Sequence, residues 1–91
     1  MQAYLIERDI PGVGSMTSEE LCGAAATSNT ALSQLAPKVQ WQHSYVAGDK
    51  TFCIYLAEDE AAIHEHAKLS GFPATKVTPI TGRIDPTTAN G

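Results

Sequence analysis

Midway along the chain two β-prone segments, Val39–Val46 and Thr51–Ala57, stand either side of Gly48-Asp49, and a gap that short between such segments predicts a β-hairpin. Whatever precedes and follows must be arranged around that pair of strands. The stretch WQHSYVAGDKTFCIY, Trp41 to Tyr55, also holds four of the six aromatic residues, one of the three histidines and one of the two cysteines. Chemistry is therefore expected to centre here, with His43 and Cys53 on adjacent strands.

Ahead of the hairpin, Ala3–Arg8 alternates as a strand does and runs into Asp9-Ile10-Pro11-Gly12-Val13-Gly14, a loop set by proline and glycine. Its G-V-G lacks the third glycine and the Lys-Ser/Thr ending of a phosphate-binding loop, so it reads as a connector. Thr17 and Glu20 then form a capping box, in which each side chain satisfies the other's free backbone N–H at a helix start. Leu21, Ala25, Ser28, Leu32 and Leu35 follow as one apolar stripe, ended by Pro37. Cys22 is expected at the buried edge of that stripe as a structural thiol.

Beyond the hairpin, Asp59 is a natural N-cap, and Ala62, Ile63, His66, Ala67 and Ser70 mark the inner face of a second helix that Gly71 and Pro73 stop. Ala74–Ile84 reads as a fourth strand. Pro79 cannot donate to a ladder, which confines that strand to a sheet edge. Strand, helix, strand, strand, helix, strand is the α+β order of the ferredoxin-like βαββαβ sandwich: four antiparallel strands in spatial order 4-1-3-2 with both helices on one face. Residues 1–84 are read as one such domain and 85–91 as a C-terminal tail ordered only if it docks.

Ninety-one residues, 43% of them hydrophobic, support one core and not two. The sheet face without helices needs a cover, and pairing two sheets face to face, a dimeric α/β barrel, supplies it; a homodimer is the expected state. A net charge of −4 with only six Lys and Arg argues against nucleic acid and anionic membrane as partners and favours a cation or a small molecule. The opening MQAYLIERD mixes acidic and basic residues with no apolar leader or spanning segment, so a cytoplasmic location is expected.

The hairpin register decides what the site can be. A two-residue turn at Gly48-Asp49, type II′ with glycine at its first central position, pairs Ser44 with Cys53. It puts Trp41, His43 and Tyr45 on the face of Phe52, Ile54 and Leu56, away from Cys53. A three-residue loop, Gly48-Asp49-Lys50, instead lines up His43, Tyr45, Cys53 and Tyr55, an imidazole and a thiol suited to a borderline divalent ion. Spacing leaves both registers open. Glu7, at the end of the first strand, is available as a carboxylate ligand or as an ion-pair partner. His64 and His66 lie roughly 200° apart on their helix and cannot chelate one ion together; His66 reads as a packed or capping residue, with a pocket or ligand role as the alternative, and His64 as a surface residue.

Read together, YLIERD, MTSEEL, WQHSYV, TFCIY, EDEAAIHEHA, SGFPA and IDPTT resemble a family of small bacterial ferredoxin-like proteins, mostly labelled as a domain of unknown function and including a nickel-binding homodimer. The resemblance implies the four-stranded sheet, the dimer and a capacity for divalent metal. It directs attention to His43, Tyr45 and Cys53 and favours the three-residue loop. Glu58 departs from the proline the family often carries before the second helix.

Two functions are carried forward. The first is a non-enzymatic homodimer that sequesters or buffers a divalent transition metal such as nickel, held by His43, Cys53, Tyr45 and Glu7. The second is a dimeric α/β barrel enzyme or carrier that holds a small organic molecule in an aromatic pocket of Trp41, Tyr45 and Tyr55, with His43 as acid or base. In either case Trp41 is expected at the cavity between subunits. No set of nucleophile, base and orienting group is visible from which to name a reaction.

Overall fold

A computed structural model describes Met1–Gly91. Its elements are β1 (Gln2–Asp9), a 3₁₀ turn (Val13–Ser15), α1 (Ser18–Leu35), β2 (Val39–Ala47), β3 (Lys50–Ala57), α2 (Glu60–Ser70), β4 (Lys76–Pro79) and a second 3₁₀ turn (Pro86–Asn90). The sheet order is β2-β3-β1-β4, all antiparallel, which is the expected 4-1-3-2 arrangement.

Local chemistry fixes the helix ends. The Glu20 N–H donates to Thr17 Oγ1 at 3.2 Å and the Thr17 N–H to Glu20 Oε1 at 3.0 Å, closing the capping box of α1. This hydrogen bonding holds the Glu20 carboxyl below its ordinary range. Asp59 Oδ1 accepts from the Ala62 N–H at 2.9 Å to start α2, and Gly71 ends it at φ 78, a left-handed conformation that a side chain would oppose.

Period-two alternation sorts β1 and β3 between two faces. Tyr4, Ile6, Arg8, Thr51, Cys53, Tyr55 and Ala57 are buried, and most of them pack with Leu35 of α1 and Ala62 and Ile63 of α2 in a single core. Ala3, Leu5, Glu7, Phe52, Ile54 and Leu56 form the opposite face and are half-buried, with no helix over them. No helix is long and apolar enough to cross a membrane.

Three expectations are corrected. The fourth strand, read as Ala74–Ile84, pairs only over Lys76–Pro79, with one further bond from the Ile80 N–H to the Ala3 carbonyl. At that point the Gln2 side chain takes over from the ladder, its Nε2 donating to the Ile80 carbonyl at 2.8 Å. Cys22 is exposed, because the buried side of α1 is carried by Ser28, Ala31 and Leu35. The third correction is the hairpin itself.

β2 and β3 are joined by a two-residue turn, with Ala47 opposite Lys50, Val46 opposite Thr51, Ser44 opposite Cys53 and His43 opposite Ile54. Gly48 lies at φ 61 and Asp49 has no positive φ, which is the II′ pattern. The three-residue loop does not form. A bulge then inserts Gln42, so that Trp41 pairs with Tyr55 and turns toward the helices, contrary to either simple register. The loop after β1 locks the hairpin tip: the Ile10 N–H donates to the Asp49 carbonyl at 2.8 Å, the Gly12 N–H to Asp49 Oδ1 at 3.0 Å and the Gly14 N–H to the Gly48 carbonyl at 2.8 Å. Its glycines act as a connector, as their spacing suggested.

Candidate functional site

The register separates the residues that sequence reasoning had grouped. His43 and Tyr45 are exposed on the open face, where they line a shallow groove with Ala3, Ile54, Leu56 and Ile80. Their rings meet edge to face at 5.2 Å. Glu7 shares this face, but Phe52 of β3 lies between it and Tyr45, so the two are two strands apart, roughly 10 Å. Lys50 contacts Glu7 at 3.8 Å and Asp9 at 3.4 Å. Cys53 is on the helix side, 3% exposed, with its Sγ 3.4 Å from Thr51 Oγ1. The expected pairing of His43 with Cys53 across the hairpin is therefore not formed, because the two-residue turn pairs His43 with Ile54 and Ser44 with Cys53, and cross-strand partners share a face while successive residues alternate. No group of three or more His, Cys, Asp or Glu side chains converges in a manner that would hold a metal ion.

Between the sheet and α1 is a cavity of about 230 Å³, mostly apolar, whose walls include Arg8, Ser28, Trp41, Cys53, Tyr55 and Phe72. Trp41 and Tyr55 stack with centroids 6.4 Å apart, and the Trp41 Nε1–H donates to Ser44 Oγ at 2.9 Å. The aromatic pocket expected from Trp41, Tyr45 and Tyr55 thus exists for two of the three, on the helix side instead of between subunits. Tyr45 is 62% exposed on the other face.

Beneath Tyr55 lies a buried polar cluster. The Tyr55 hydroxyl is 3.4 Å from Ser28 Oγ, which is 3.2 Å from His66 Nε2. The His66 ring, 1% exposed, sits 5.2 Å from Tyr55, and its Nδ1 has no partner. Burial, and then the positive charge of Arg8, lower the His66 pKa to about 4, so the ring is neutral at physiological pH. Burial likewise raises the Tyr55 phenol. His66 is a packed residue behind the cavity wall, outside its lining. His64 is exposed and contacts Glu60 at 3.2 Å.

Sequence reasoning missed Arg8. Its guanidinium is buried at 2% exposure, donating from Nη1 to the Phe72 and Pro73 carbonyls at 3.2 and 3.0 Å, with Cζ 5.7 Å from the Tyr55 ring centre. The signal was present: alternation from Tyr4 through Ile6 places residue 8 on the core face.

The fold and these two faces define a small ferredoxin-like α+β domain with an open sheet face on one side and an apolar cavity under the helices on the other. Residues 4–80 match the family model described as "Nickel responsive protein SCO4226-like", and the chain belongs to that family. The crystal structure of SCO4226 from Streptomyces coelicolor A3(2) is similar in fold, with a TM-score of 0.74 over 90% of this chain and 99% of that one, at 13% sequence identity. No curated sequence matches the chain.

Proposed function

We propose that this chain is a nickel-responsive homodimer that sequesters or buffers a divalent transition ion at a site completed between two copies across the open sheet face. The observation that carries this reading is the presence of His43 and Tyr45 together on a half-apolar face that no helix covers. One imidazole with one phenol is too few ligands for nickel, and no cluster of three metal-binding side chains exists within a chain. A two-fold axis through the open face would bring a second His43 to the same ion, and bury Phe52, Ile54 and Leu56 in the same step. Membership of the family described as nickel responsive agrees with this assignment. Cys53 has no part in it, since it faces the helices. Glu7 is an oxygen donor on the correct face, though it must exchange its contact with Lys50 to serve.

Light scattering on the purified protein should give a mass near twice 9.7 kDa. Nickel calorimetry should saturate at one ion per two chains, with binding abolished in His43→Ala and retained in Cys53→Ala. A monomeric protein, no nickel binding by the wild type, or undiminished affinity in His43→Ala would each refute the shared site.

A further inference from the structure

The cavity under the helices is built around a charge that the protein does not neutralise. A guanidinium keeps its charge in any protein environment, and burying one without a counter-charge is costly unless every donor is engaged. Arg8 meets neither condition. Its Nη1 is held by two backbone carbonyls and its flank lies toward Tyr55, but its Nη2 is buried with no hydrogen-bond partner and no carboxylate is within ion-pair distance. The same residue forms part of the wall of the 230 Å³ cavity. The remaining wall is chemically one-sided. Ser28, Thr51 and Tyr55 bring hydroxyl-bearing side chains to the same wall as Arg8, whereas Val13, Leu21, Trp41 and Phe72 offer only apolar or aromatic surface to an occupant, the Trp41 N–H being engaged by Ser44. No acidic side chain lines it. Val46, 43% exposed, belongs to the lining and carries the cavity to the surface beside the hairpin tip.

We propose that this cavity binds a small apolar carboxylate, its carboxyl group paired with the Arg8 guanidinium and its hydrocarbon or aromatic body against Trp41, Val13 and Phe72. A planar carboxylate is the partner that a guanidinium fork matches in geometry and charge. The volume lies below the usual range for drug-sized ligands, which limits the occupant to about a single ring or a short chain. Arg8 is a contact residue in this reading, with Thr51 its cross-strand partner and the Tyr55 ring against its guanidinium. The site is independent of the open face, since Arg8 and Trp41 lie on the opposite side of the sheet from His43 and Tyr45.

Trp41 is the only tryptophan, so its fluorescence reports the cavity directly. The protein is titrated without nickel, so that failure here leaves the open-face reading untouched. Three probes are used: benzoate, its neutral isostere benzamide, and inorganic phosphate. Benzoate is expected to quench or shift Trp41 emission and to bind about tenfold or more tighter than benzamide, the margin of a charge-assisted hydrogen bond over a neutral one. It should also raise the urea midpoint of unfolding at saturating concentration. Arg8→Met removes the fork but fills similar apolar space, and should reverse the preference, with benzamide bound at least as well as benzoate. Equal affinity of the wild type for benzoate and benzamide would overturn the proposal without recourse to any variant. So would the absence of any response to benzoate at millimolar concentration, or a response to phosphate as strong as that to benzoate.

Discussion

His66 makes a prediction about acid that can be worked through from the structure. The ring is 1% exposed, against Tyr55 and Ser28, with the Arg8 charge nearby, and its pKa falls from an ordinary 6.5 to about 4. Burial is the larger cause and Arg8 the second. The unfolded chain accepts this proton near the ordinary value and the folded chain only near 4, so between the two the unfolded state binds more protons and stability rises with pH. The stabilisation is fully present above pH 6.5 and is lost as pH falls toward 4. At 1.36 kcal/mol per pKa unit, lowering the pH from 7 to 4.5 removes roughly 2 to 3 kcal/mol, a large part of what a domain of this size has in hand. With a urea dependence of about 1–3 kcal/mol per molar, the unfolding midpoint should drop by roughly 1–2 M over that interval. In His66→Gln, which keeps a hydrogen-bonding amide toward Ser28, most of that drop should disappear. Glu20 and Asp85, both with lowered pKa values, lose their contributions only as acid reaches the carboxylate range, below most of this window. Equal midpoint losses in wild type and His66→Gln would refute the reasoning. So would an NMR titration in which the folded His66 ring protonates near 6.5.

Two further outcomes follow from close contacts in the backbone. A Cβ at Gly14 would lie 2.5 Å from the Gly48 carbonyl oxygen, which is fixed by the turn, so Gly14→Ala should destabilise the fold by about 1–3 kcal/mol in chemical denaturation, whereas Gly23→Ala, with open space at its Cβ on an exposed helix position, should be neutral or stabilising. Asp59→Ala removes the acceptor for the Ala62 N–H and should lower the unfolding free energy by about 1 kcal/mol, a loss that Asp59→Ser largely restores.

What the sequence determined by itself was everything written within a few residues. The capping box at Thr17 and Glu20, the Asp59 cap, the Gly71 stop and the edge proline each depend on hydrogen bonds or φ angles that the neighbouring residues set, and together they order the elements well enough to name the sheet topology. The II′ turn at Gly48 is just as local, yet spacing left it level with a three-residue loop, and the resemblance favoured the loop that does not form. What the tertiary structure decided was which face each strand residue serves. Trp41 is two positions from His43 and by simple alternation would share its face. Under the helices its indole gains a stacking partner in Tyr55 and an acceptor in Ser44, and the bulge at Gln42 gives it that position while His43 and Tyr45 stay on the open side. A bulge shifts every side chain beyond it by one face, so one inserted residue separated Trp41 from His43, and the two-residue turn separated His43 from Cys53. Arg8 follows the same logic in reverse: alternation alone sends it inward, but only the tertiary fold brings the carbonyls of the loop after α2, the Tyr55 ring of β3 and a cavity that holds no acid around its charge.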